Sequence, residues 1–234
     1  MNQKLKSEAF TIYLILASMF IAALVASNLI FQKFFYWYPF HIEIFGTRLF
    51  EISVGILPYP ITFLITDLIS EIYGKKRANQ IVVTGIFASI FSLTIVFVSN
   101  VVPATSWSPV GDSMFSTVFG NTALAVFASM LAYLFAQFID IQIYHFWKRI
   151  TKGKHLWLRN NFSTFSSQFV DTLTILVLLC SFEIIEWSKF QGLLVAGFIF
   201  KVLIAAFDTP FLYLGVYFFR KRFNLKVNEE IELL

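Results

Sequence analysis

Four aspartates, Asp67, Asp140, Asp171 and Asp208, each stand inside a long apolar run of this chain. A carboxylate at the centre of a lipid-embedded helix costs roughly 2.5 to 3.5 kcal/mol on insertion scales, so ionisable residues there mark functional positions. The runs themselves are lipid-like. Of the 234 residues 58% are hydrophobic and 14% charged, and mean hydropathy is +0.73. Soluble domains carry about 25% charge. The composition therefore describes an all-helical polytopic membrane protein, one domain over residues 1–234, with the lipid bilayer as its solvent.

Crossing the hydrocarbon takes about 20 apolar residues, and six segments qualify: about 10–31, 52–73, 81–102, 118–147, 161–184 and 192–219. Basic residues next to spans resist translocation. One side collects Lys4 and Lys6, then Lys75, Lys76 and Arg77, then the 148–159 loop, then Arg220, Lys221, Arg222 and Lys226. The other side has Lys33, Arg48 and Lys189. Both termini are thus expected in the cytoplasm. The basic residues lie between apolar runs rather than on one face, so the net charge of +4 does not indicate nucleic acid. Charges in the 148–159 loop are accounted for as a topology signal that touches lipid headgroups.

Between the first two spans the sequence alternates polar and apolar positions around Gly46 and Thr47. Two readings fit: a short outer β-hairpin, or an interfacial loop anchored by Tyr36, Trp37 and Tyr38. The second span then meets Pro58 and Pro60, and a regular helix from Pro60 to Gly74 would be only about 22 Å long. Either a proline kink or irregular backbone over 53–59 supplies the remainder. Irregular backbone at membrane depth needs a protein-lined or watery cavity, as in the broken helices of transporters.

Counting from the basic end of each span at 1.5 Å per residue puts Asp67 and Asp140 about 12 Å deep, and Asp171 and Asp208 about 18 Å deep. Half the hydrocarbon is about 15 Å. Four helices therefore carry an acid in one belt at the midplane, which an enclosed polar site explains. Gln137 lies three residues before Asp140, Gln168 three before Asp171, and Thr164 seven before Asp171, each on the same helical face. Glu71 is placed either in this site or in an ion pair with Lys75 four residues on. Lys201 either snorkels to the outer headgroups or shares a face with Asp208. Asn28, near the outer end of the first span, is either interfacial or part of the cavity wall. These ten residues form the candidate substrate-binding set. No residue pattern calls for a metal or cofactor, and no nucleophile elbow or paired-aspartate motif suggests an enzyme.

The segments SNLIFQK, PYPITFLITDLISEIYGKKRAN and LAYLFAQFIDIQIYHFWKRITKGKHLWLRNNFSTFSSQFVDT are specific enough to name a family. In them D-x-x-x-E-x-Y-G-K-K occurs with W-L-R-N and Q-x-x-D-T, and the chain resembles the queuosine precursor transporters, the vitamin-uptake-transporter-like family. The resemblance implies a multi-pass importer of 7-deazaguanine bases in the bacterial inner membrane, feeding tRNA queuosine modification. It leaves open the cyano base, the aminomethyl base and queuine as cargo, and self-association as well. Two other readings stay in view. One is the substrate-binding subunit of an energy-coupling-factor vitamin importer; the other is a membrane enzyme acting on a small or lipid substrate. A deazaguanine presents a ring N–H and an exocyclic amine on one edge, which suit a carboxylate. Asp67 or Asp171 is expected to take that edge, with Gln137 and Gln168 on the remaining polar atoms.

Overall fold

A computed structural model describes the chain except residues 1–2, 32, 37–42, 45–46, 49–50, 121–122, 184 and 233–234. Helix α1 runs Gln3–Ile30, α2 Tyr59–Ile72, α3 Gly74–Val101, the short α4 Asp112–Phe115, α5 Ala123–Ile150, α6 Leu156–Ser181 and α7 Phe190–Phe223. Among the described residues five segments are both long and apolar enough to cross a membrane: Gln3–Ile30, Val54–Ile72, Gly74–Val101, Leu156–Ser181 and Trp187–Phe223. Helix α5 has the length to do so, with 28 residues.

Between α1 and α2 lie four short strands, β1 Phe34–Tyr36, β2 Glu43–Ile44, β3 Thr47–Arg48 and β4 Glu51–Ser53. β1 pairs antiparallel with β4, and β2 with β3. Gly46 in the expected turn, and the expected aromatic anchors Trp37 and Tyr38, lie outside the described residues.

The second span is the short one, as its prolines require. A 3-10 turn, Val54–Ile56, capped by Ser53 Oγ accepting from Gly55 N, precedes α2, and Pro60 occupies its first turn. There the missing N–H of proline leaves no helical hydrogen bond unmade. At the other end, Tyr73 closes α2 and Gly74, at φ +81°, starts α3 at once. This left-handed residue turns the chain back within one position, which only glycine does without strain.

Helix α2 is the most enclosed element, with ten of its fourteen residues buried from Thr62 to Ile72. It packs on α1, α3, α5 and α7, while α6 packs chiefly on α5 and α7. By contrast α3 turns Phe87, Phe91 and Phe97 outward, each about two-thirds exposed, which suits a surface solvated by lipid. Helices approach closely at glycines. A Cβ on Gly85 would stand 3.0 Å from Phe20 and Leu24 of α1, the small-residue contact that membrane helices favour.

The ends rich in basic residues all meet. Tyr73 Oη donates to Ala9 O at 2.8 Å and Tyr13 Oη to Arg77 O at 3.3 Å. Arg222 forks onto Glu8 at 2.5 and 2.7 Å, and the C-terminal tail returns so that Ile231 N donates to Ile72 O at 2.7 Å. The described parts of both termini therefore lie at one end of the bundle.

The opposite end is fastened by Gly55. Ser27 Oγ donates to its carbonyl, and a Cβ there would stand 2.7 Å from Phe31 Cβ and from Ser27 O. Because one of those atoms is backbone, Gly55→Ala is expected to lower stability by about 1–3 kcal/mol, the usual range for overpacking. A thermal-unfolding series on detergent-purified protein, read by size-exclusion chromatography, measures it.

Candidate functional site

Helices α2 and α6 run in opposite directions with matched side chains. Tyr59 and Glu71 are twelve residues apart on α2, as are Arg159 and Asp171 on α6, so each pair spans about 18 Å. The chain joins them crosswise, Glu71 to Arg159 and Tyr59 to Asp171. Three polar tiers stack between these contacts, with α5 and α7 completing each.

The tier nearest the basic end is an ion cluster. Glu71 is 1% exposed and Arg159 0%. Glu71 Oε1 lies 2.6 Å from Arg159 Nη2 and 2.6 Å from Arg220 Nη2. Tyr144 Oη donates to Oε2 at 3.0 Å, and Lys148 Nζ stands 3.7 Å from it. Arg159 also donates to the carbonyls of Gly153 and Lys154, at 2.8 and 2.9 Å. Lys148 donates to Ser70 O and Glu71 O at 3.3 and 3.2 Å, a cation on the free carbonyls of a helix C-terminus. It also pairs with Glu230 of the tail at 2.7 Å.

Two expectations are corrected here. Glu71 does not pair with Lys75, whose Nζ donates to Gln142 at 2.5 Å. The break at Gly74 puts Lys75 on another helix, so helical i, i+4 geometry does not apply. Lys148 and Arg159 are also more than loop charges facing headgroups, because both are buried. The reason is that α6 starts at Leu156, directly after left-handed His155, so Arg159 already belongs to the helix and turns inward.

In the middle tier, Asp67 and Asp140 are 3% and 0% exposed, and their carboxyls lie within hydrogen-bonding reach of each other. Ser167 Oγ donates to Asp140 Oδ1 at 2.9 Å, whereas Ser163 Oγ donates to Asn160 O at 3.1 Å. Asp208 of α7 adds its charge beside Asp67. Among the described residues no Lys or Arg is in ion-pair contact with Asp67, Asp140 or Asp208.

The third tier joins Tyr59 of α2, Asp171 of α6 and Lys201 of α7. Tyr59 Oη donates to Asp171 Oδ2, Lys201 Nζ pairs with the same oxygen, and that ammonium sits 4.7 Å from the Tyr59 ring centre. Lys201 thus turns inward rather than snorkelling outward. Tyr133 meets the Tyr59 and Phe63 rings edge to face at 5.0 and 5.8 Å, and those two rings lie tilted against each other at 5.1 Å. Gln137 stands behind these rings, its Nε2 donating to Tyr133 Oη at 2.7 Å and its Oε1 accepting from Thr66 at 3.1 Å.

Two adjoining hollows, of about 20 and 10 Å³, lie between α2, α6 and α7. The first passes Tyr59, Lys201 and Gln168; the second reaches Asp67 and Asn160; Phe63, Thr164 and Asp208 line both. Each has room for no more than about one water, so this conformation is contracted around its polar core. Within the lining, Asp67 Oδ1, Asn160 Oδ1, Gln168 Oε1 and Thr164 Oγ1 are buried without a hydrogen-bond partner. A wider cleft of about 650 Å³ opens sideways between the start of α6 and the end of α7, lined by Lys154, Trp157, Tyr213 and Lys221. Arg159 and Arg220 of the ion cluster border it, and none of the four aspartates does.

Of the ten residues picked from sequence, Asp67, Thr164, Gln168, Lys201 and Asp208 line the hollows. Asp140 and Asp171 stand one contact behind them, and Gln137 two, through Tyr133. Glu71 belongs to the ion cluster. Asn28 keeps to its own helix, donating to Leu24 O at 3.0 Å. Sequence reasoning missed Tyr59, Phe63 and Asn160 as lining residues; the i, i+4 spacing of Tyr59, Phe63 and Asp67 was the available signal.

Removing one partner of a buried ion pair costs about 3–5 kcal/mol. Arg159→Gln is therefore expected to lower stability by that amount, whereas Arg220→Gln, whose side chain is 25% exposed, costs less. Thermal unfolding of the two variants side by side tests the order.

Comparison with known proteins follows the same residues. The family model described as "Putative vitamin uptake transporter" matches residues 53–215, which include the middle and third tiers and, of the ion cluster, all but Arg220 and Glu230. A Bacillus subtilis (strain 168) protein named "Probable queuosine precursor transporter" is 27% identical over 173 residues, covering 74% of this chain and 73% of that one. No solved structure matches. The chain belongs to the vitamin uptake transporter family, and so among membrane transport proteins rather than enzymes.

Proposed function

We propose that the protein imports 7-deazaguanine bases across the bacterial cytoplasmic membrane, for use in tRNA queuosine. In this reading α1, α2 with its preceding turn, α3, α5, α6 and α7 are six spans, and the basic end with both termini faces the cytoplasm. The observation that carries it is the sign of the unpaired atoms in the hollows. Asp67 Oδ1, Asn160 Oδ1 and Gln168 Oε1 are acceptors, and Thr164 adds a hydroxyl. Buried acceptors without donors are costly unless a ligand supplies them. A deazaguanine supplies its ring N–H groups and an exocyclic amine.

Asp208 is the carboxylate for the amine edge. Asp171 is committed to Tyr59 and Lys201, and Asp67 lines only the second hollow, whereas Asp208 lines both. Gln168 and Asn160 take the remaining polar atoms, and Tyr59, Phe63 and Phe200 provide faces for the flat ring. Binding requires α6 and α7 to move from α2, since a ligand site of this kind occupies about 300 Å³ or more. The relative's name supports the same cargo class.

Cells lacking both queuosine synthesis and their own importer, supplied with each base in turn, are expected to recover queuosine in tRNA when they express this protein. Asp208→Asn, at equal expression, should reduce uptake by about 10- to 100-fold, the loss of one charge-assisted contact worth 1.5–3 kcal/mol. No recovery with any base, from protein shown to be in the membrane, would reject the proposal.

A further inference from the structure

The middle tier holds more carboxylates than substrate recognition needs. Asp67 and Asp140 face each other, both buried, from different helices. Each keeps an oxygen, Asp67 Oδ1 and Asp140 Oδ2, that accepts from no donor of the protein. The charged and titratable groups around them do not neutralise the pair. On α2, Glu71 is one turn away and is held by Arg159, Arg220 and Lys148. On α6, Arg159 is the cation whose field reaches Asp67, and its guanidinium is engaged by Glu71; Ser163 and Ser167 offer only hydroxyls. On α7, Asp208 adds another negative charge. On α5, Tyr144 bonds Glu71.

Two facing carboxylates repel, and more strongly inside the protein than in water. One proton removes the repulsion and turns it into a hydrogen bond, the O–H of one acid donating to an oxygen of the other.

We propose that Asp67 and Asp140 form a proton site, and that its proton crosses the membrane together with the transported solute. The proton enters and leaves through the hollow that Asp67 lines, and no bond other than O–H is made or broken. Position makes the site a coupling device. Asp67 is four residues from Glu71 on α2, and Asp140 four from Tyr144 on α5, so loading changes the charge one turn from the contacts that close the basic end. A neutral base accompanied by one proton moves one positive charge inward.

The coupling rests on the transporter reading; the proton site does not, and the test separates them. Infrared spectra of the purified protein are expected to show the carbonyl stretch of a buried carboxylic acid, shifted in D₂O and lost in Asp140→Asn and Asp67→Asn. Ser167→Ala, which removes only a hydrogen bond to the pair, should move the band without abolishing it. In proteoliposomes with a trapped pH dye, base uptake should acidify the lumen. An inward gradient of about one pH unit should then support up to about tenfold accumulation, abolished by a protonophore. A wild-type spectrum without the band, or a band unchanged in both Asp→Asn variants, overturns the proton site. Uphill base uptake that ignores the gradient and the protonophore overturns the coupling. If the band behaves as expected but no deazaguanine is transported, the cargo assignment falls and the proton site stands.

Discussion

Glu71 holds together four helices that would otherwise have little reason to meet at that depth. One carboxylate from α2 receives Arg159 from α6, Arg220 from α7, and Tyr144 and Lys148 from α5. In lipid, apolar helix faces gain little by touching one another rather than acyl chains, so packing and polar contacts decide the arrangement. A buried ion pair is poor evidence of stability in itself, because desolvation offsets much of its attraction. Its effect here is to fix register: with Glu71 on Arg159, the opposed twelve-residue intervals of α2 and α6 bring Tyr59 to Asp171 at the far end. Asp67 is then left to face the middle of the bundle.

Within that frame the three tiers have different characters. In the two outer ones acid meets cation, and they close the core at both ends. The middle one is unmatched, acid against acid, and is bordered by acceptors that lack donors. A binding site for a donor-rich solute differs from a structural polar cluster in this way. Pro210, two residues after Asp208, adds local freedom where α7 borders the hollows, since a proline inside a helix removes one hydrogen bond of the backbone ladder. Thr209 Oγ1 donates to Ala205 O at 3.1 Å beside that break.

Much of this was legible in the chain itself. Apolar length located the five helices that are long and apolar enough to cross a membrane, Pro58 and Pro60 announced the short second helix, and the insertion cost singled out the aspartates. What the sequence hid was the depth of its basic residues. Counting down from Arg159, Lys148 and Arg220 treats them as boundary markers, yet all three reach the Glu71 cluster. The four acids therefore looked like one belt when Asp171 belongs to a separate tier. Nor can a one-dimensional count show that the chain reverses at Gly74, which removes Lys75 from Glu71 and frees that carboxylate for partners 73 to 149 residues away. Tyr59 and Phe63 read as ordinary apolar helix because an aromatic residue has the same pattern whether it faces lipid or a ligand.

The tail contact has a consequence for how the molecule is made. Ile231 N closes the last free carbonyl of α2, and Glu230 completes the coordination of Lys148. These residues leave the ribosome more than 150 positions after α2 has entered the bilayer. The basic end is therefore completed only once residues 230 and 231 have been made and fold back onto α2 and α5.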